Sequence, residues 1–301
     1  MFENAARVNE EAEPVLPQME DRMFLTDGGL ETTLIYQEDW DLPEFASFPL
    51  LDSASGVNSL TSYYHGYIGL ALKYGTGLIL ESPTWRASKR WGSKLGYSSL
   101  ELADVNRRAI ALMAGLRRAY RTPGIPMVIS GNIGPYDDGY SPREHLGVSA
   151  AHEYHSEHIA TFAETEADMV CAMTLTYGDE AIGITRAAQQ ANIPCAISFT
   201  VELNGCLPSG ETLAEAIERV DAETWHGPAY YMINCAHPTH FLDKLRGEGA
   251  WKIRIRGVRA NASCMSHAEL DASTVLDDGN PQVLAEQYAE LQACLPNLRV
   301  M

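Results

Sequence analysis

The chain has 301 residues, 46% of them apolar, and its 40 Asp and Glu outnumber 22 Lys and Arg for a formal net charge of −18. So acidic a surface repels phosphate backbones and anionic lipid headgroups, which argues against nucleic acid and membrane partners. The length allows two ordinary domains or one large one, since barrels of alternating strands and helices commonly run past roughly 250 residues.

The opening, MFENAARVNEEAEPVLPQMEDR, is acidic and has no apolar stretch, so it does not read as a signal peptide. Residues 1–21 are expected to form an N-terminal extension, packed across the bottom of the fold or loose, and 22–301 a single domain. No apolar run approaches the ~20 residues that span a bilayer. The six cysteines (Cys171, Cys195, Cys206, Cys235, Cys264 and Cys294) are widely spaced and include no CxxC pair. They do not read as a disulfide framework, and a reducing cytoplasmic location is the expectation.

Short apolar, β-branched runs alternate with helical patterns along the whole chain. A first strand is expected at 23–26. A helix at 59–74 leads to a strand at 77–81. Ser98 and Glu101 have capping-box spacing ahead of a helix through 102–120, followed by a strand at 127–131. A helix at 149–166, a strand at 168–174, a helix at 179–191 and a strand at 195–200 come next. Thr212 and Glu215 repeat the capping box ahead of 216–220, and a strand at 230–234 follows. A helix at 239–245 precedes a strand at 253–260. Asn280-Pro281 reads as an N-cap with a first-turn proline. Leu284, Tyr288 and Leu291 then lie on one apolar helix face. An eighth strand is expected at 297–300.

Strand then helix, repeated, implies parallel pairing with right-handed crossovers. Eight repeats favour an α/β fold of the (β/α)₈ TIM-barrel type. A doubly wound open sheet is the alternative.

In a barrel the chemistry belongs at the carboxyl ends of the strands. The first strand ends in Asp27-Gly28-Gly29. Its glycines let backbone approach a ligand, and Asp27 can receive an ammonium, or the tripeptide is simply a tight turn. Cys235 follows Asn234 at the end of the sixth strand, where its thiol can face the mouth or pack as a small hydrophobe. One cysteine is not a metal site. His152, His155 and His158 recur every third residue, but the polar segment around them reads as a solvated helix face. Asp137 and Asp138 read as turn residues. Trp85 and Trp91 either pack within their loop or lie over the mouth, where an aromatic ring can face a cation.

Five segments resemble the homocysteine S-methyltransferase family. They are LTDGGLETTL, SGNIGPYDDGY, ISFTVELNGCLPSGETL, YYMINCAHP, and VRANASCMSHAELD followed by LDDGNPQVLAEQYAEL. They run in one order from about Met23 to Val300. The resemblance implies a cytoplasmic enzyme of methionine biosynthesis that methylates homocysteine from a sulfonium, a betaine-like ammonium or a methylated cofactor. It implies zinc held by three cysteines, with the substrate sulfur as fourth ligand. A free thiol has a pKa of ~8.5, and zinc binds it deprotonated and ready to attack the methyl group.

Carried onto this chain, the resemblance places Asp27, Gly28 and Gly29 in the homocysteine pocket, with Asn234, Asn261 and Thr174 as further polar lining. It makes Cys235 a zinc ligand. The family's other two zinc cysteines come from a Gly-Gly-Cys-Cys-Gly motif after the eighth strand. Here that motif would begin at or after Met301, so the last helix and the zinc motif are absent from this chain. Cys206 and Cys264, at the same end as Cys235, are the substitutes the sequence offers. The family's fourth strand ends in Glu-Thr, whose carboxylate takes the substrate ammonium, whereas this chain has Met173-Thr174. A metal-free binding or regulatory relative is therefore the alternative reading.

Overall fold

The computed structural model describes residues 16–301, and in it seven parallel strands lie side by side in their chain order. They are β1 (Phe24–Leu25), β2 (Gly77–Glu81), β3 (Met127–Ile133), β4 (Met169–Leu175), β5 (Cys195–Phe199), β6 (Tyr230–Asn234) and β7 (Ile255–Arg259). The helices are α1 (Leu30–Glu38), α2 (Ala54–Tyr74), α3 (Lys89–Lys94), α4 (Ser99–Ala119), α5 (Val148–Ala163), α6 (Gly178–Gln190), α7 (Leu213–Thr224), α8 (Pro238–Leu245), α9 (His267–Ala272) and α10 (Pro281–Cys294). A doubly wound sheet reverses its strand order at a switch point. This order never reverses, so every crossover turns the same way and the sheet curls as in a TIM barrel.

The eighth strand expected at 297–300 is reduced to bridges. Val300 makes isolated parallel bridges to Phe24 and to Gly257, at the two edges of the sheet. Phe24 N donates to Arg299 O at 2.7 Å and Thr26 N to Met301 O at 2.7 Å. On the other side Val258 N donates to Val300 O at 3.0 Å. The strand expected at 253–260 starts only at Ile255, because Ala250–Arg254 coils into a 3₁₀ turn.

Local capping signals translated directly. Both capping boxes, Ser98 with Glu101 and Thr212 with Glu215, form in full. Asn280 Oδ1 accepts from Gln282 N and Val283 N. Ser53 caps α2 and starts it at Ala54 rather than at 59. A third box, Ser266 with Glu269, opens α9, which the reading of that loop overlooked. Helices α1 and α3 were also not anticipated; they are short and lie inside strand-to-helix loops.

Strand alternation divides the core in two. The outer cluster lies between sheet and helices. The inner one fills the lumen with Phe24, Ile79, Val128, Met169, Cys171, Met173, Tyr230, Met232 and Val300, among others. At Gly257 a Cβ would lie 2.5 Å from Met232 Cγ, so only glycine fits there. At the bottom, Gln18 Nε2 donates to Met169 Sδ at 3.1 Å. The Arg256 guanidinium holds the carbonyls of Gln18, Met19 and Glu20 at 2.6–2.7 Å.

The histidine row on α5 corrects the expectation of a solvated face. His155 is fully buried and His158 nearly so, while only His152 keeps partial exposure. Neighbouring helices supply polar partners inside. His155 Nε2 meets Glu180 Oε1 at 2.9 Å and His158 Nε2 meets Asn106 Oδ1 at 3.2 Å. Burial, with His155 nearby, pulls the His158 pKa down to about 3.

Candidate active site

The carboxyl ends of β4, β5 and β6 meet at Asn234. Its Oδ1 accepts from Thr174 N at 2.9 Å and from Ser198 Oγ at 2.6 Å. Its Nδ2 donates to Thr174 Oγ1 at 2.8 Å and to Cys235 Sγ at 3.2 Å. Thr174 Oγ1 also donates to Cys235 Sγ, at 3.7 Å. Thr174 and Cys235 both adopt the left-handed region, with φ of 64° and 54°. Such backbone costs roughly 1–3 kcal/mol per residue and persists only where the surroundings hold it. Here Cys235 N donates to Arg259 O at 3.2 Å, and Cys235 O accepts from His267 Nε2 at 2.9 Å.

Two loops cover this cluster. Tyr140, in the loop after β3, stacks on His267 of α9 with ring centroids 4.2 Å apart and planes 9° from parallel. Its hydroxyl lies beside Cys235 and Asn261, and burial together with Cys235 pushes the phenol well above its usual range. His267 Nδ1 is 3.3 Å from Glu202 Oε1, which orients the ring.

Across the mouth, Asp27 is buried and already partnered. Its Oδ1 lies 3.0 Å from Arg259 Nη1, and its Oδ2 accepts from Tyr63 at 3.1 Å. Burial pushes the Asp27 carboxyl up, opposed by Arg259 and Tyr63. Arg259 also donates to Gly28 O. A Cβ on Gly28 would run into the Tyr67 hydroxyl, so a larger residue there would require that side chain to move. Gly29 is the residue from which α1 departs. Arg259 stands opposite Asn234 in the β6–β7 register, and its charge acts on Asp27, Tyr63, Glu81 and Cys235. It therefore links the two halves of the site.

The structure thus brings Thr174, Asn234, Cys235 and Asn261 together, and sets Asp27, Gly28 and Gly29 across Arg259 from them. Sequence reading missed Arg259, Tyr63, Tyr140, His267 and Glu81. A charged residue at the end of an apolar strand was the available signal for both Arg259 and Glu81. Trp85 and Trp91 face a cation of the chain's own. The Arg86 guanidinium lies 4.1 and 3.5 Å from their rings and 2.9 Å from Asp138. Asp138 accepts from the backbone of Tyr140 and Ser141, and Asp137 from that of Arg143 and Glu144, as turn residues do.

The zinc expectation fares differently. Among the described residues no group of three His, Cys, Asp or Glu side chains could hold a metal ion. Cys206 sits in a turn closed on Asn204, and Cys264 is exposed, with its carbonyl bonded to His240. Neither completes a metal-holding group with Cys235 among the described residues. The sulfur neighbours of Cys235 are the Asn234 amide and the hydroxyls of Thr174 and Tyr140, which do not complete a metal shell. Met173 is buried in the lumen, and no carboxylate stands at its position.

Residues 24–294 match the family model described as homocysteine S-methyltransferase. Among solved structures, the oxidized form of the homocysteine methyltransferase MmuM from Escherichia coli is similar, with a TM-score of 0.72 at 17% identity over 92% of this chain and 89% of that one. Its metallated form gives 0.71 at 16% identity, over 93% and 91%. At these identities the likeness speaks for the fold alone. No curated protein matches the chain.

Proposed function

Because this chain belongs to the homocysteine S-methyltransferase family, we propose that it binds homocysteine at the carboxyl end of its sheet and accepts a methyl group on the substrate sulfur, giving methionine. The observation that carries this reading is the Asn234–Thr174–Cys235 cluster, held in strained backbone across Arg259 from Asp27. Asp27, Gly28, Gly29, Thr174, Asn234 and Asn261 line the pocket. Tyr140 and His267 cover it and exclude water.

The substrate thiol releases its proton to solvent, and its sulfur forms a bond to the donor's methyl carbon as the donor's own bond to that carbon breaks. The donor leaves with the bonding pair. Its class is a sulfonium, a betaine-like ammonium or a methylated cofactor, and each leaves with one less positive charge. Amide and hydroxyl donors near Cys235 suit a sulfur that carries negative charge. Zinc belongs to the family's chemistry, but the described residues offer one of its ligands and do not fit it unaided, so no step here runs through it.

Residues 299–301, bonded to both sheet edges, stand for the eighth strand of a (β/α)₈ barrel formed by 22–301. The partners are small molecules, homocysteine and the methyl donor. All six cysteines are free thiols, which supports a cytoplasmic setting.

The test is methionine formation from homocysteine with one donor of each class, with and without added zinc. Methionine from at least one donor is expected. None from any of them would remove the reading.

A further inference from the structure

The lumen beneath the mouth carries a cluster of buried polar side chains from β2 and β3. Glu81 stands opposite Ser130 in the β2–β3 register. The alternation that turns Ile79 and Val128 into the lumen turns Glu81, Ser130 and Asn132 there as well. Glu81 is 1% exposed and Ser130 fully buried, while Asn132, two positions nearer the mouth, keeps partial exposure. Glu81 Oε2 and Asn132 Oδ1 lack a hydrogen-bond partner among the described residues, and Ser130 Oγ, which makes no bond of ordinary geometry, lies close enough to Glu81 to favour its charged form. Buried polar atoms are nearly always paired, so a carboxylate oxygen and an amide oxygen left over on two adjacent strands mark a place for a ligand.

Their chemistry selects that ligand. A carboxylate oxygen and an amide oxygen only accept, and a serine hydroxyl accepts as readily as it donates. An ammonium group donates three hydrogen bonds and accepts none. The local charge agrees. Asp27, Glu31 and Glu81 are all pushed up by burial, and among the described residues Arg259 is the cation whose charge opposes this at all three. Arg259 is already committed to Asp27. An arriving cation would find Glu81 unclaimed.

We infer that Glu81, with Ser130 and Asn132, binds the ammonium group of an amino-acid substrate, a task that Met173 at the end of β4 cannot perform. This rests on the homocysteine reading above and names the subsite of that same pocket. With burial holding Glu81 at about 8, its carboxyl is mostly protonated at neutral pH while the subsite is empty. Binding of an ammonium ionises it and sends that proton to the buffer.

Calorimetric titration with methionine tests this, because methionine keeps the ammonium and has no titrating thiol. At pH 7, in two buffers of different ionisation enthalpy, the unsubstituted chain should release a sizeable fraction of a proton. Glu81→Gln should bind methionine about tenfold or more weakly and release none. 4-(Methylthio)butanoate, which lacks the ammonium, should bind both chains alike. Gln replaces a carboxyl that is already neutral, so folding should survive, and the proton release of the unsubstituted chain is read without any variant. Equal methionine binding by both chains without proton release, as water in the subsite would give, overturns this inference and leaves the homocysteine reading standing. No binding of homocysteine or methionine by the unsubstituted chain overturns both.

Discussion

Asn234 grips Thr174 twice, its Oδ1 accepting from the Thr174 backbone N–H at 2.9 Å while its Nδ2 donates to the Thr174 hydroxyl at 2.8 Å. The pair joins β4 to β6 across β5 and holds a β-branched residue at a φ of 64°. The side chain of one strand end thus dictates the backbone of another, and Cys235 inherits its position from both.

Asn234→Ala should therefore cost more than a typical surface change. It strands Ser198 Oγ and Thr174 N, each buried, at about 1–3 kcal/mol apiece. A loss of roughly 3 kcal/mol in urea unfolding is expected, together with weaker homocysteine binding. A loss under about 1 kcal/mol would show that Thr174 holds its conformation unaided.

Arg259→Met removes the guanidinium that, among the described residues, pairs with buried Asp27. Breaking one side of such a pair typically costs about 3–5 kcal/mol, because the remaining charge is left uncompensated. The penalty should shrink as pH falls, since Asp27 and Glu81, both pushed up, then take protons and need no cation. Asp27→Asn in the same chain should recover part of the loss. Unfolding curves at pH 5 and pH 8 decide this, and a pH-independent penalty would contradict the arrangement.

Glu81 sets a pH dependence of its own. Its folded pKa of about 8 lies above the 4.5 of the free group, so between those values the folded chain holds a proton that the unfolded chain has lost. Stability attributable to this group is complete below 4.5 and declines as pH rises through 8. Glu81→Gln removes that decline. The variant should gain on the unsubstituted chain as pH rises from 5 to 8, by an amount on the order of a few kcal/mol. Parallel stability profiles for the two chains would refute it.

Zinc content gives a fourth check. With a single cysteine sulfur at the Asn234 cluster and no metal-holding group among the described residues, the dialysed chain should retain well under one zinc per molecule. Cys206→Ser and Cys264→Ser should leave that value unchanged. Stoichiometric zinc that falls away in either variant would restore the rebuilt site that the geometry argues against.

The positions of the strands and helices were open to reading from the amino acids alone. Parallel strands buried on both faces must be apolar throughout, so runs such as GLILE and YYMIN mark themselves. Capping boxes act within four residues, so Ser98 with Glu101 and Thr212 with Glu215 could be found without a fold. Asp27, Gly28, Asn234 and Cys235 could be singled out as candidates because strand ends are where this architecture gathers its chemistry.

What stayed hidden depends on which way a residue faces and on what lies far along the chain. A strand buried on both sides shows no alternation, so nothing in GLILE says that Glu81 enters the lumen rather than the helix layer. The polar row His152, His155 and His158 looks solvated until α6 and the Asn106 side chain of α4 are laid against it. The Asp27–Arg259 pair joins the first strand to the seventh. Those strands approach each other only when the sheet curls round and Val300 bridges its edges. Local residue chemistry wrote the elements and their order. Closure of the sheet, a long-range packing event, decided which buried charges would meet.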